Sequence, residues 1–318
     1  MGKYRNDLPQ LKGGTFLTDG GMETTLIFHE GADLPHFASF VLLADPAGRK
    51  QLKDYYTRYL DIAAKSRTGF VLDTATWRTN PDWGEKIGYD AKALKDANAD
   101  AVDLLSALRS DYERPGIPIV ISGTIGPRGD GYKAGNMTAS EAEAYHAVQI
   151  ETFAGTDADM VTAFTLTSID EAIGIARAAK RLNMPCVISF TVETDGNLVT
   201  GRTLQEAIEA VDGATGSYPH YYMINCAHPS HFDTVLLGNA AWLKRIGGIR
   251  ANASTMSHQQ LDESERLDDG DPADLGEWYR HLTHFLPQVR VLGGCCGTDH
   301  RHVQAICDAC VPANALGA

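Results

Sequence analysis

The most chemically reactive side chains in this sequence are cysteines, and three of them directly follow short apolar runs. Cys295 and Cys296 are adjacent in "VLGGCCGTDH", between a glycine pair and Gly297. Adjacent cysteines rarely form a disulfide with each other, because that geometry is strained. Cys226 stands in "INCAHP", after the apolar run "YYMI". Thiolates are nucleophiles and soft metal ligands, so these residues indicate metal binding or thiol chemistry.

The elements that must position these thiols alternate between two kinds. Segments such as 45–66 have the period of an amphipathic helix, and they separate short runs rich in β-branched residues. Helix N-caps are predicted at Ser140, Ser168, Thr203 and Thr298, of which the first three have Glu three residues later. The apolar runs predict eight strands, at 15–19, 69–74, 118–123, 159–164, 185–191, 221–225, 246–252 and 289–294.

Eight strands that alternate with about eight helices predict an α/β fold, the (β/α)8 TIM barrel, as one domain over 1–318. A doubly wound open sheet has the same alternation, but 318 residues fit the closed barrel better. Barrel active sites lie at the C-terminal ends of the strands. Cys226 follows the sixth predicted strand, and Cys295 and Cys296 follow the eighth, so the three thiols can meet at one rim.

Three thiolates with one open position are typical of a catalytic zinc site. Gly293 and Gly294 would let the backbone turn so that both neighbouring sulfurs reach one Zn2+ ion, and Gly297 would free the exit into the helix. The polar stretch 252–270 is long for a loop of this fold, and it is either a lid or, more simply, a solvated insertion.

Other cysteines and histidines allow alternative assignments. Cys307 and Cys310 form a C-x-x-C pair that could join the adjacent cysteines in a structural metal site, but they lie about three helical turns away. Cys186, in the middle of a strand, is interpreted as a small apolar core residue. Four histidines flank the cysteine motifs and are further candidate ligands: His228, His231, His300 and His302.

Composition narrows the class of partner. The net charge is -13 without a basic tract, which argues against nucleic acid and anionic membranes. Six cysteines in 318 residues do not make a disulfide scaffold. The first residues carry no apolar signal segment, and no apolar run approaches the ~20 residues that span a bilayer. We therefore expect a cytoplasmic protein with small-molecule partners, and homo-oligomerisation stays open.

Six motifs together resemble the zinc-dependent homocysteine S-methyltransferases over nearly the whole chain. This family includes enzymes that take the methyl group from S-methylmethionine, S-adenosylmethionine or betaine. The paired-cysteine motif with the upstream Asn-Cys is the most specific of the six. The motifs are "TDGGMETTL", "LDTATWRTNP", "TIGPRGDGY", "ISFTVETDGNLVTGRTLQEAI", "INCAHP" and "GGCCGTDHRHVQAI".

The resemblance implies a role for each cysteine of the motif. Cys226, Cys295 and Cys296 would hold zinc, and the thiol of homocysteine would take the fourth position. A free thiol with a pKa of about 8.5 is mostly protonated at neutral pH, whereas only the thiolate attacks. Coordination to zinc deprotonates the thiol, so the resemblance implies methyl transfer to homocysteine sulfur, which gives methionine.

The resemblance also implies substrate contacts. Asp19 would meet the amino group of homocysteine, although it could also be a simple loop cap, and the amides of Gly20 and Gly21 would suit its carboxylate. Asn252 in "RANAS" resembles the Asn of the family's Pro-Asn loop, or is a turn residue. Thr165 in "AFTLTS" stands where the family usually has a Glu that also binds the amino group.

This departure at Thr165 leaves three alternatives open. Asp19 binds the amino group alone, or another acid such as Glu193 substitutes, or the acceptor is a different thiol or a selenol. The resemblance favours S-methylmethionine or S-adenosylmethionine as donor. Betaine would require an aromatic cage, for which Trp77, Trp83 and Tyr132 are candidates. A non-catalytic zinc- or thiol-binding barrel is the third hypothesis.

Overall fold

The computed structural model describes residues 1–311, and in it eight parallel strands close into a barrel in chain order. The first strand pairs with the last, Phe16 with Val291, which excludes the open sheet and confirms the single-domain (β/α)8 TIM barrel. Residues 312–318 of the predicted domain lie outside the described residues. The strands are β1 Phe16–Leu17, β2 Gly69–Asp73, β3 Ile119–Ile125, β4 Met160–Leu166, β5 Cys186–Phe190, β6 Tyr221–Asn225, β7 Ile246–Ala251 and β8 Val291–Gly294.

Helices surround the barrel and bury their apolar faces against it. In the described residues, no helix is both long and apolar enough to cross a membrane. The α-helices are α1 Met22–Thr24, α2 Pro46–Ser66, α3 Pro81–Lys86, α4 Ala91–Tyr112, α5 Ala139–Ala154, α6 Ile169–Arg181, α7 Leu204–Thr215, α8 His258–Asp262, α9 Pro272–Phe285 and α10 His300–Cys310. Short 3-10 helices lie at Pro9–Leu11, Pro35–Phe37, Ser39–Ala44, Pro229–His231, Thr234–Leu236 and Ala241–Arg245, and a π-helical turn at Thr25–His29.

Helix capping follows the sequence signals at two of the four predicted positions. Ser168 and Thr203 each accept the backbone N–H three residues on, as predicted. The cap predicted at Ser140 is wrong, because α5 begins two residues earlier. Thr138 caps α5 and forms a reciprocal capping box with Glu141. This pair satisfies two backbone donors at once, which fixes the start of the helix.

The cap predicted at Thr298 is also wrong, and the difference matters for the site. Asp299 caps α10 by accepting the Arg301 N–H, because a carboxylate is a better acceptor at this position. Thr298 instead donates its hydroxyl to Cys295 O at 2.7 Å and accepts the Gly21 N–H at 3.2 Å. It therefore ties the turn after β8 to the turn after β1.

Candidate metal and substrate site

The three predicted cysteines meet at the C-terminal rim of the barrel. The Sγ atoms of Cys226, Cys295 and Cys296 all lie within 4.8 Å of one another. Cys226 and Cys295 are joined as a disulfide, and Cys296 is a free thiol. Within residues 1–311 this is the one group of three or more His, Cys, Asp or Glu side chains with such spacing. The arrangement is the oxidised form of a three-thiol cluster.

Close packing explains the glycines of the cysteine turn. A Cβ at Gly293 would clash with Thr18 Oγ1, and a Cβ at Gly294 would clash with Thr298 Oγ1. Gly297 has a φ of 79°, a backbone conformation that favours glycine. The first two glycines therefore permit contact with neighbouring side chains, whereas Gly297 provides the turn itself.

The remaining cysteines do not join the cluster. Cys186 is fully buried within β5, and burial raises the pKa of its thiol to about 12, as suits an inert core residue. Cys307 and Cys310 lie on α10 and belong to no potential metal group of the described chain. The flanking histidines are likewise outside the cluster. His228 is hydrogen-bonded to Ser230, and His302 to Asp269 O.

Asp19 is buried and engaged in a charge network that the sequence did not predict. Its Oδ1 accepts from Arg250 Nη2 at 2.6 Å, and its Oδ2 accepts from Tyr55 Oη at 3.0 Å. The same guanidinium donates from Nη1 to Asp73 Oδ2 at 2.6 Å and from Nε to Gly294 O. Burial raises the pKa of Asp19, although Arg250 opposes the shift. The signal available in the sequence was one charge at the end of each of two apolar strands, β2 and β7.

One of the two amides predicted to bind a carboxylate is already engaged in a hydrogen bond. Gly20 and Gly21 both line the cavity at the rim. The Gly21 N–H already donates to Thr298 O at 3.0 Å. A substrate carboxylate would therefore compete with an existing hydrogen bond at Gly21.

Thr165 lies against the cysteines, at a point where the pairing of β4 with β5 becomes irregular. Its φ of 61° is unusual for a β-branched residue. Asn225 holds it there: the Thr165 N–H donates to Asn225 Oδ1, and Asn225 Nδ2 donates to Thr165 Oγ1, both at 2.9 Å. Thr165 Oγ1 lies 3.8 Å from Cys226 Sγ. Thr165 thus contributes a hydroxyl beside the sulfur and no charge.

Asn252 supports the backbone of a cysteine. Its Nδ2 donates to Cys226 O at 3.1 Å, and its N–H donates to Ala227 O. The Asn252 side chain is buried, and its Oδ1 has no partner in the described chain. The role observed is therefore positioning of Cys226, whereas a direct substrate contact stays a prediction.

Part of the polar stretch 252–270 packs over the site. His258 Nε2 lies 2.6 Å from Cys226 O, and Nδ1 lies 3.2 Å from Glu193 Oε1. The His258 ring packs against Tyr132 in a tilted arrangement with 4.3 Å between centroids, and Tyr132 Oη lies 4.0 Å from Cys296 Sγ. Glu193 is thus engaged by His258. The start of this stretch covers the rim and does not simply extend into solvent.

A cavity opens onto the cysteine cluster. Its walls include the three cysteines, the carboxylates of Asp19, Asp73 and Glu23, and Arg250. Trp77, Tyr132 and Phe164 supply apolar surface. Trp83 does not join a cage, because the Trp77 and Trp83 rings hold the guanidinium of Arg78 between them, at 3.9 and 3.8 Å. This arrangement uses those rings for a cation of the chain itself.

A closed (β/α)8 barrel with three thiols at its C-terminal rim defines the class of barrel enzymes whose chemistry is built on cysteine sulfur. The sequence profile of the homocysteine S-methyltransferase family matches residues 16–310. The chain belongs to the homocysteine S-methyltransferase family and is a methyltransferase.

Solved structures agree with this fold. The homocysteine methyltransferase MmuM from Escherichia coli, in its oxidised form, has a TM-score of 0.71 at 20% identity, over 93% of this chain and 96% of that one. Its metallated form has a TM-score of 0.69 at 19% identity, with the same coverage. At this identity the likeness concerns the fold. No curated protein sequence matches the chain.

Proposed function

We propose that this protein transfers a methyl group from a sulfonium donor, S-methylmethionine or S-adenosylmethionine, to the thiol of homocysteine, giving methionine. The observation that carries the proposal is the convergence of Cys226, Cys295 and Cys296 on one cavity of a chain from this family. The Escherichia coli protein of similar fold is described as a homocysteine methyltransferase, and one of its forms is metallated.

The donor set fits zinc in its reduced form. Three sulfur ligands within 4.8 Å of one another match the soft, tetrahedral preference of Zn2+, with one position left for substrate. Burial raises the pKa of the Cys296 thiol to about 11, so a bound cation is needed to make it a thiolate at neutral pH. Zinc bound by Cys226, Cys295 and Cys296 would supply a Lewis acid that keeps the acceptor sulfur deprotonated.

The reaction needs little else from the protein. A bond forms between the acceptor sulfur and the methyl carbon, the bond from that carbon to the donor sulfur breaks, and the thiol proton leaves to solvent. Tyr132 lines the cavity and offers a ring face that tolerates a sulfonium, whereas the rings of Trp77 and Phe164 already lie against Arg78 and Arg250. Asp19, held by Arg250 and Tyr55, supports the negative potential of the same cavity.

Two observations bear on the alternative acceptors and on betaine as the alternative donor. Thr165 brings no carboxylate to the cavity, which favours testing other thiols or a selenol as acceptor. Betaine as donor is less well supported, because Trp83 stacks on Arg78 outside the cavity. A non-catalytic zinc- or thiol-binding barrel would keep the cysteines without turnover. A reducing compartment such as the cytoplasm suits three free thiols.

The first experiment is an anaerobic assay of zinc-loaded protein with homocysteine and each donor in parallel, scored for methionine. We expect methionine with at least one sulfonium donor. Cys226→Ala should lose both the zinc and the turnover, whereas Cys310→Ala, a thiol outside the cluster, should keep both. Protein that holds one zinc per chain and makes no methionine with either donor would contradict the proposal.

A further inference from the structure

We propose that Glu23 is the specificity-determining carboxylate of this site and binds the ammonium group of an amino-acid thiol acceptor. This inference rests on the proposed function, since it concerns the acceptor at the same cavity. It assigns to a residue of the short helix α1, after β1, the charge that Thr165 does not provide.

The other two carboxylates of the cavity are already paired with a cation of the chain. Arg250 bridges Asp19 and Asp73 with an ion pair of 2.6 Å to each. All three residues are buried, and the second oxygen of Asp19 accepts from Tyr55. An ammonium group that approached either aspartate would meet the guanidinium beside it. Neither residue is therefore a favourable first partner for a substrate cation.

Glu23 differs from these aspartates in its partner and its exposure. Its Oε1 accepts from the Ser39 hydroxyl at 2.7 Å, and no cation within residues 1–311 forms an ion pair with it. Its side chain lines the cavity and is partly exposed, whereas Asp19 and Asp73 are buried. Glu23 therefore offers a carboxylate that Ser39 holds in place and that forms no ion pair with a cation of the described residues.

The backbone on both sides of Glu23 is fastened to the cysteine turn. Before it, the Gly21 N–H donates to Thr298 O, and a Cβ at Gly21 would clash with Cys295 O. After it, Thr24 Oγ1 accepts the Gly297 N–H at 3.2 Å. The carboxylate therefore keeps a constant place relative to the sulfurs that would hold the acceptor thiol. This fixed relation is what a two-point recognition of thiol and ammonium requires.

Two other charged side chains near the rim, Glu193 and Arg78, are engaged by other groups of the chain. Glu193 is paired with His258 Nδ1 and does not line the cavity. The guanidinium of Arg78 lies between two tryptophan rings and donates to Gly129 O. Desolvation in the cavity wall raises the pKa of Glu23, and the negative charge of Asp19 adds to the shift, while the hydrogen bond from Ser39 and the more distant charge of Arg250 oppose it. A cation that arrives with the substrate would relieve this unfavourable charge.

The test compares homocysteine with 4-sulfanylbutanoate, the same thiol acid without the amino group. Glu23→Gln keeps the shape of the side chain and removes its charge. In zinc-loaded Glu23→Gln we expect the KM and the calorimetric Kd for homocysteine to rise about 10- to 100-fold. The values for 4-sulfanylbutanoate should change less than about threefold. If Glu23 had only a structural role, the KM and Kd values of both thiols would change by the same factor.

Two further variants serve as controls. Ser39→Ala removes the hydrogen bond that orients Glu23 and changes no charge. It should therefore weaken the binding of homocysteine but not of 4-sulfanylbutanoate, by a smaller factor than Glu23→Gln does. Glu30→Gln is the matched control: Glu30 is another partly buried glutamate of the same segment, but it pairs with Arg58 outside the cavity. It should leave the ratio of the two thiols unchanged.

The outcomes separate this inference from the proposed function. Equal effects of Glu23→Gln on both thiols, no effect on either, or a change only in the KM of the methyl donor would overturn the role of Glu23. Wild-type protein that binds homocysteine without methylating it would defeat the proposed function, while the Kd values would still decide about Glu23. Wild-type protein with no preference for homocysteine over 4-sulfanylbutanoate would overturn the inference and leave the thiol chemistry intact.

Discussion

Arg250 on β7 and Asp19 at the end of β1 form an ion pair of 2.6 Å inside the barrel, although their positions are 231 residues apart in the chain. The same guanidinium reaches Asp73 on β2. Strands β1, β2 and β7 are therefore joined by a buried charge network whose residues line the same cavity as the cysteines. The ion pairs of Arg250 with Asp19 and Asp73 therefore affect both the stability of the barrel and the electrostatic potential of its site.

Replacement of Arg250 by Met should leave two buried carboxylates without their cation. We expect the free energy of unfolding to fall by about 3–5 kcal/mol, because an unpaired buried charge is costly. Urea denaturation of zinc-free, reduced protein measures the change. Arg109→Met is the matched comparison, since it breaks a buried pair with Asp159 at the other end of the barrel. If only Arg250→Met loses thiol binding per folded molecule, Arg250 contributes to binding at the site. An equal loss in both variants would refute that role.

Oxidation of the cysteine cluster should control metal binding. The disulfide between Cys226 and Cys295 removes two of the three thiolates that a zinc ion needs. We expect protein oxidised under mild conditions to bind less than about 0.1 zinc per chain, and protein treated with a reductant to bind one. Thiol titration and metal analysis on the same samples measure both quantities. Stoichiometric zinc in fully oxidised protein would contradict this prediction.

His258 should act by holding Cys226 and Tyr132 in place at the rim of the cavity. It contacts Cys226 O and packs against the ring of Tyr132, so His258→Ala should loosen the cover of the cavity without removing a cysteine of the cluster. We expect kcat/KM to fall by about 10-fold while zinc stoichiometry is unchanged, as is usual for residues that orient metal ligands. His231→Ala is the control, since His231 contacts Thr255 O and lies outside the cysteine cluster. A His258→Ala variant with normal kinetics would show that the stretch 252–270 is only an insertion.

Asp299 should give the protein part of its stability at neutral pH. Burial opposes ionisation, but hydrogen bonds with His302 and Arg301 outweigh it and hold the pKa of this carboxyl well below its usual range. Because the folded-state pKa is lower than the unfolded value of about 3.9, the stabilisation is present above that pH and is lost as the pH falls.

We therefore expect Asp299→Asn to lower the free energy of unfolding by about 1 kcal/mol at pH 7, since Asn still caps a helix but carries no charge. The difference from wild type should shrink as the pH approaches 3. Denaturation at several pH values measures it, and Asp271→Asn at the cap of α9 is the control. A difference that stays constant with pH would assign the loss to capping geometry alone.

The fold and the cysteine cluster were predictable because their signals are local. Eight β-branched runs with helical segments between them predict a barrel, and a barrel brings Cys226 to the rim that carries Cys295 and Cys296. The N-caps at Ser168 and Thr203 were predictable for the same reason. Ser140 is not a cap because α5 begins earlier, with Thr138 as its cap, and Thr298 is not a cap because Asp299 takes that position at α10.

The sequence by itself determined the class of chemistry and the place of the thiols, since both depend on residue type and strand order. Tertiary structure decided the electrostatics of the cavity. Asp19 stands in a motif that suggests a free substrate-binding acid, yet Arg250, more than 200 positions away, forms an ion pair with it. Glu23 carries no local signal, and its unpaired charge becomes visible only once the partners of Asp19, Asp73 and Glu193 are known. Charge pairing depends on distances across the barrel, which residue order alone does not contain.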